Sequence, residues 1–193
     1  MNKKLSGITV YCASSVTIDR AYFEAAEQLG MEIAHRGLAL ITGAGSMGLM
    51  GAVNDAAMAA GGETIGVIPQ FMVDRDWHHK GLSKLEITDS MHTRKEMMAA
   101  LGRAAIALPG GIGTLEELLE IITWRQLGLY DGNIVILNIN GYYDNLLAML
   151  DKAIEEKFMK PDHRRLWKVA TTPAEAVDMA LSIDNIINFS AKF

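Results

Sequence analysis

The feature that most constrains this chain is an alternation along its length. Short runs rich in β-branched and apolar residues recur at Ile8–Cys12, Leu38–Thr42, Thr64–Ile68, Leu85–Thr88, Ala104–Leu108, Ile134–Asn138 and Trp167–Val169. Longer amphipathic stretches separate them, at about 19–35, 47–60, 91–102, 114–127, 143–158 and 173–188, with Asp19, Thr114 and Pro173 marking helix starts. Several short runs are almost wholly apolar, as strands are when both faces of their sheet are covered. Strands alternating with helices predict parallel pairing through right-handed crossovers, which put helices on both faces.

The predicted fold class is therefore α/β: a Rossmann-like, doubly wound parallel sheet. Its 193 residues predict a single domain, 1–193, large enough to bury one core. The stretch Gln70–Lys84, with Asp74, Arg75, Asp76, Trp77, His78, His79 and Lys80, is the longest without clear periodicity. A solvated excursion and a functional loop are both open there.

Eighteen basic and 23 acidic residues leave a net charge of −5, so no nucleic acid partner is expected, because the phosphate backbone wants a broad basic face. A small anion needs only a local site. The single cysteine, Cys12, rules out an intrachain disulfide and argues against a structural zinc site. The start, MNKKLSGITVYC, lacks the apolar run and cleavage pattern of a signal peptide. No window approaches the apolar length of a membrane span. The expected setting is the cytoplasm, with no membrane partner. The twelve methionines are read as core fillers.

Two glycine-rich turns carry the candidate chemistry. The first, Thr42-Gly43-Ala44-Gly45-Ser46-Met47-Gly48, follows a strand and opens a helix. Its G-x-G-x-x-G spacing allows a tight turn and close backbone approach to an anion. As a dinucleotide fingerprint it is misplaced: it follows the second strand, and Glu63 precedes the third strand instead of following it. No Lys-Ser/Thr pair follows Gly48, so it is not a Walker A loop. A purely structural turn remains open. The second, Leu108-Pro109-Gly110-Gly111-Ile112-Gly113-Thr114-Leu115-Glu116-Glu117, again joins a strand to a helix. Three glycines in four positions suit a nest of N–H groups around a phosphate monoester. Both turns belong at the carboxyl ends of parallel strands, where open α/β sheets bind ligands.

Glu117 has two readings. The Thr114-x-x-Glu117 spacing is that of a capping box, with Glu117 accepting the Thr114 N–H. Alternatively its carboxylate faces the phosphate crevice. Between the turns, Arg94 and Lys95 follow a helix cap at Asp89 or Ser90. Cations there oppose the helix dipole by roughly 0.3–1 kcal/mol, so something anionic should offset them: a bound ligand, or Glu96 and solvent. His92 is read as a packing or capping residue. His78 and His79 lack a carboxylate partner at helical spacing, and His35 closes a helix before Gly37. No G-x-S-x-G elbow is present. Cys12 is expected to be a small buried residue.

These segments resemble the LONELY GUY family of cytokinin riboside 5′-monophosphate phosphoribohydrolases, long labelled lysine decarboxylases. The resemblance rests on Gly45-Ser46-Met47-Gly48-Leu49-Met50-Gly51, on Ser90-Met91-His92-Thr93-Arg94-Lys95 and above all on Pro109-Gly110-Gly111-Ile112-Gly113-Thr114-Leu115-Glu116-Glu117. It extends from Val10-Tyr11-Cys12-Ala13-Ser14-Ser15 through Thr123-Trp124-Arg125-Gln126-Leu127-Gly128-Leu129 to about Thr172. It implies hydrolysis of the N-glycosidic bond of a nucleoside monophosphate, giving a free base and ribose 5-phosphate. It implies Arg94 and Glu117 as the catalytic pair and a phosphate held by Gly110, Gly111, Ile112, Gly113 and Thr114. Gly43, Gly45, Ser46, Met91, Lys95 and Pro109 are expected to complete the substrate site. It implies no cofactor and no metal, a small-molecule nucleoside monophosphate as partner, and a homodimer or larger homo-oligomer.

Three positions depart from the pattern. Ala44 replaces the middle glycine of the usual triple-glycine run, Ala13 stands where glycine is common, and Lys84 stands where many members carry a substrate-binding glutamate. Lys84 bears on the preference for base or ribose. The carboxylate of Glu117 would stabilise an oxocarbenium-like ribose and handle water, with Arg94 orienting it. The alternative is a carrier of a nucleotide or molybdenum cofactor on the same fold.

Overall fold

The structure, a computed structural model, describes residues 7–183. Seven strands form one all-parallel sheet: β1 Gly7–Tyr11, β2 Ala39–Thr42, β3 Thr64–Pro69, β4 Lys84–Thr88, β5 Gly102–Ala107, β6 Asn133–Leu137 and β7 Lys168–Ala170. Their spatial order is β4-β3-β2-β1-β5-β6-β7. Seven α-helices connect or flank them: α1 Arg20–His35, α2 Gly48–Ala59, α3 Gln70–Val73, α4 Met91–Leu101, α5 Ile112–Gln126, α6 Asp144–Glu155 and α7 Pro173–Leu181. The doubly wound parallel sheet expected from the alternation is the sheet observed.

The cores follow from strand periodicity. Ile8 and Val10 of β1 pack with α1, α2 and α7 on one face, through Leu29, Ile33, Leu49, Val53 and Val177. Tyr11, the next residue, points to the other face with Ile41, Met98, Leu118, Ile121 and Trp167, under α4, α5 and their neighbours. Successive side chains of a strand face opposite ways, so covering both faces demands the nearly continuous apolar runs seen in the sequence. Edge strand β4 is the most exposed, and its Lys84–Glu86 ion pair puts charge where an unprotected edge would recruit another strand.

Element ends moved by a few residues. Helix α1 starts as expected, with the Asp19 side chain accepting from Ala21 N–H at 2.8 Å. Ser90, not Asp89, caps α4, in a reciprocal box with Thr93. Helix α5 begins at Ile112, two residues before the expected start at Thr114. Strand β7 runs Lys168–Ala170 instead of Trp167–Val169, because register with β6 pairs Leu137 with Ala170. The stretch after Pro69 contains the short helix α3, which the sequence reading did not include. Residues 184–188 of the predicted last helix, and the lysine-bearing start at residues 1–6, lie outside the described residues.

Strand order reverses direction between β1 and β5. Connections on either side of that point run away from each other, leaving a crevice at the carboxyl ends. The chain leaves β1 through Cys12–Ser15, β2 through the first glycine turn and β5 through the second. Among the described residues no helix is long and apolar enough to cross a membrane.

Candidate active site

Arg94 lies one turn into α4, and three contacts fix its guanidinium. Its Nε donates to the Val67 carbonyl at 3.0 Å, and its Nη1 to Glu117 Oε1 at 2.9 Å. Its Nη2 lies against Gly43, where a Cβ would collide with it. The glycine after β2 is thus needed at this point to let the arginine reach the strand ends. Both members of the pair are almost fully buried, with side-chain exposures of 7% and 9%. Breaking such a pair by removing one partner costs roughly 3–5 kcal/mol, since the other charge stays buried alone.

Glu117 therefore does not form the capping box its spacing allowed. Gly111 occupies the cap position of α5, no side chain caps it, and Thr114 is the third helical residue. The Glu117 carboxylate turns toward α4 instead. Burial raises its pKa, and the nearby Arg94 guanidinium pulls against that without cancelling it. Tyr11 is buried within electrostatic reach; burial first, then the Glu117 charge, holds its phenol neutral. Burial likewise raises the Cys12 thiol, whose role as a buried small residue matches expectation.

Lys95 is also answered from α5. Its ammonium bonds to Glu116 and, at 3.1 Å, to Glu120. Burial pulls the Lys95 pKa down, but the hydrogen bonds and the charges of Glu116 and Glu120 together outweigh it and the net shift is upward. The anions that offset Arg94 and Lys95 are therefore Glu117, Glu116 and Glu120, not Glu96. The sequence reading missed Glu120. The signal was present, because residues four apart share a helix face and Glu116 and Glu120 are so spaced.

The second turn presents N–H groups. Gly111, Ile112 and Gly113 are exposed at the start of α5, with Ile112 at 87%. A Cβ on Gly111 or Gly113 would meet nothing within 4 Å. The first N–H groups of a helix have no intrahelical partner and carry the positive end of its dipole. Thr114 and Pro109 are buried, and the Thr114 side chain folds over Gly110, leaving no room there for a Cβ.

The first turn is different. Gly45 N–H donates to the Met50 sulfur at 3.0 Å, and Gly45 pairs with His78 in an isolated bridge. Ser46 is exposed and lines a groove with Phe23, Glu27 and Asp55 on the α1–α2 side, away from the Arg94–Glu117 pair on the α4–α5 side. Met91 is 40% exposed at the start of α4, one turn from Arg94. His92 is exposed. His79 has a carboxylate partner that helical spacing could not reveal: its Nε2 bonds Asp55 at 3.0 Å, 24 residues away. Lys84 sits at the amino end of β4, roughly 13 Å along the strand from its carboxyl end, and pairs with Glu86. Among the described residues no group of three or more His, Cys, Asp or Glu could hold a metal ion.

Residues 50–180 match a family model described as possible lysine decarboxylase. The chain is 42% identical to the probable cytokinin riboside 5′-monophosphate phosphoribohydrolase LOGL6 of Oryza sativa subsp. japonica, over 92% of this chain and 71% of that protein. It is also 42% identical to the cytokinin riboside 5′-monophosphate phosphoribohydrolase LOG1 of Arabidopsis thaliana, over 92% of this chain and 83% of that one. A solved structure, the molybdenum cofactor binding protein from Rippkaea orientalis, aligns with a TM-score of 0.68 at 21% identity, over 90% of this chain and 94% of that chain. The last likeness shows the fold alone. The model match and the two plant relatives establish that this chain belongs to the LONELY GUY family.

Proposed function

We propose that the chain hydrolyses the N-glycosidic bond of a nucleoside 5′-monophosphate, a cytokinin riboside monophosphate or an AMP-like nucleotide. The observation that carries this reading is the buried Glu117 carboxylate, held by Arg94 next to an open turn of helix N–H groups. The phosphate binds the N–H groups from Gly110 to Thr114 at the α5 N-terminus. Binding energy from that remote group positions the reacting bond. As the C1′–N bond breaks, its electron pair leaves with the base, which takes a proton from solvent. The ribose gains oxocarbenium character, which the Glu117 carboxylate stabilises. Water adds at C1′ and loses a proton to Glu117, which returns it to solvent, giving ribose 5-phosphate and the carboxylate again. Arg94 orients Glu117, and its Nη2 lies beside Gly43 at the start of the first turn.

The reading includes a cytoplasmic homodimer or larger assembly. Its support is the apolar exposure along and just beyond α5, at Ile112, Leu119, Leu127 and Leu129, which light scattering would test as self-association. Incubation with AMP and with isopentenyladenosine monophosphate, following free base by chromatography, tests the reaction. Base release that disappears in Glu117→Gln is the expected result, and the ratio of rates gives the preferred base. No release from either nucleotide, with nucleotide still bound, would move the assignment to a carrier.

A further inference from the structure

Two tyrosines outside the matched motifs hold the second glycine turn from behind. Tyr142 Oη donates to the Gly110 carbonyl and Tyr143 Oη to the Leu108 carbonyl, each at 2.7 Å. Between them, the Pro109 carbonyl accepts the Ala13 N–H at 3.2 Å. Three consecutive carbonyls of the turn are thus engaged by donors from two other parts of the chain. In a trans peptide the C=O and the following N–H point in opposite directions. Drawing the Gly110 oxygen to Tyr142 therefore turns the Gly111 N–H away from Tyr142. The Ala13 contact does the same for the Gly110 N–H. Glycine-rich backbone has wide freedom, so without such anchors these peptide planes would rotate among several orientations.

The tyrosines are themselves placed by a built device. Beyond β6, Asn140 and Gly141 adopt left-handed backbone, with φ of 52° and 72°, and reverse the chain. Asn138 Oδ1 accepts the Tyr143 N–H at 2.7 Å, and its Nδ2 donates to Asp144 at 2.8 Å. The two rings meet edge to face at 5.0 Å, and Tyr22 of α1 packs on Tyr142 at 5.9 Å. Tyr143 is 1% exposed and Tyr142 is 44% exposed.

We infer that Tyr142 is a positioning residue for phosphate recognition: its hydroxyl holds the Gly110 carbonyl and so aims the Gly111 N–H at the substrate phosphate, while Tyr143, on a carbonyl whose peptide nitrogen is that of Pro109 and carries no hydrogen, fixes the chain entering the turn. The inference rests on the phosphoribohydrolase reading for the identity of that phosphate. Neither tyrosine is a catalytic residue, because neither touches the reacting atoms; both act through the turn.

The test is Tyr142→Phe, which deletes one hydroxyl at an exposed position and keeps the ring stack. The dissociation constant of ribose 5-phosphate is measured by calorimetry, and KM and kcat are measured with AMP. The loss of one oriented hydrogen bond predicts about a fivefold weaker ribose 5-phosphate and a matching rise in KM, with kcat within about twofold. The melting temperature should fall by about 2–4 °C at most, and Tyr22→Leu, which removes the ring contact but keeps both hydroxyls, should bind ribose 5-phosphate like the parent protein. Tyr143→Phe frees a carbonyl whose peptide carries no N–H, so it should weaken ribose 5-phosphate less than Tyr142→Phe does; if its burial makes that variant unfold, Tyr142→Phe alone decides. Unchanged ribose 5-phosphate affinity in Tyr142→Phe overturns the inference while leaving base release, and the enzyme reading, intact. A parent protein that binds ribose 5-phosphate but releases no base overturns the enzyme reading, and the tyrosines are still judged by affinity. A parent protein that neither binds ribose 5-phosphate nor releases base overturns both.

Discussion

In the turn after β2 the glycines are used up by the protein itself. Gly43 makes way for Arg94, Gly45 lies against the Met50 sulfur, and Gly48, at φ 62°, lets the Ser14–Ser15 backbone pass where a Cβ would strike it. In the turn after β5 only Gly110 is crowded, by Thr114, while Gly111 and Gly113 face open space. The two strings look alike and both open a helix at the ligand edge of the sheet. One spends its glycines on packing that positions Arg94; the other leaves its glycines facing open space, where the proposed function places the phosphate. A glycine-rich signature thus has two physical meanings, and only the neighbours distinguish them.

The largest effect should come from the group that both turns serve. Glu117→Gln keeps an oxygen for Arg94 but loses the charge, so base release should fall by about 10²- to 10⁴-fold. In the proposed reaction the active form of Glu117 is the carboxylate, and burial raises its pKa. Activity should therefore rise with pH through a limb above the ordinary carboxylate value, roughly tenfold per pH unit on its acid side. A limb at or below that ordinary value would remove Glu117 as the titrating group.

Next is Gly48→Ala, which forces a Cβ into the Ser14–Ser15 backbone at a left-handed position. A stability loss of about 2–4 kcal/mol is expected by thermal or urea unfolding. Gly113→Ala is its counterpart in the second turn. Its side chain meets no protein atom, so stability should hold or rise by about 0.4–1 kcal/mol. Ribose 5-phosphate, however, should bind about tenfold more weakly, because the methyl stands where the proposed function places the phosphate. Equal stability losses in these two variants would erase the distinction between the turns, and unaltered affinity in Gly113→Ala would place the phosphate elsewhere.

The smallest effect is at Ala44, which departs from the family's triple glycine. Its φ is 63°, its carbonyl accepts the His79 N–H at 2.7 Å, and Gly66 leaves room for its methyl. Left-handed backbone costs an alanine about 1–2 kcal/mol. A buried methyl and a less flexible unfolded chain offset about that much. Ala44→Gly should therefore shift stability by less than about 1 kcal/mol, read as a melting change of roughly 2–4 °C at most. A larger gain would show that the strain is not offset by packing.

Much of the sheet was legible because a covered parallel strand needs an unbroken apolar run and a surface helix needs a stripe. Ile8–Val10, Ile65–Ile68 and Ile134–Ile136 declare themselves in this way. Ends were less legible. Helix α5 starts at Ile112 amid glycines of low helix propensity, because the carbonyls before it are held from outside and the chain has nowhere else to turn. Glu117 illustrates the limit best. Its spacing from Thr114 allowed a cap, and its neighbour 23 positions away decided otherwise. Lys84 is a departure from the family pattern, yet it lies at the amino end of β4, as its place just before the predicted strand Leu85–Thr88 implied.

By itself the sequence determined the periodicities, the strand-to-turn-to-helix order and the residue types at two carboxyl-end turns, because each depends on neighbours within a few positions. The tertiary structure alone decided that the strand order reverses between β1 and β5 and that α4 and α5 lie side by side. It alone joined Arg94 to Glu117, clamped Lys95 between Glu116 and Glu120, and set Tyr142 and Tyr143 against the second glycine turn. Those contacts join residues 21 to 35 positions apart, and their existence depends on how whole elements stack, which no local pattern encodes.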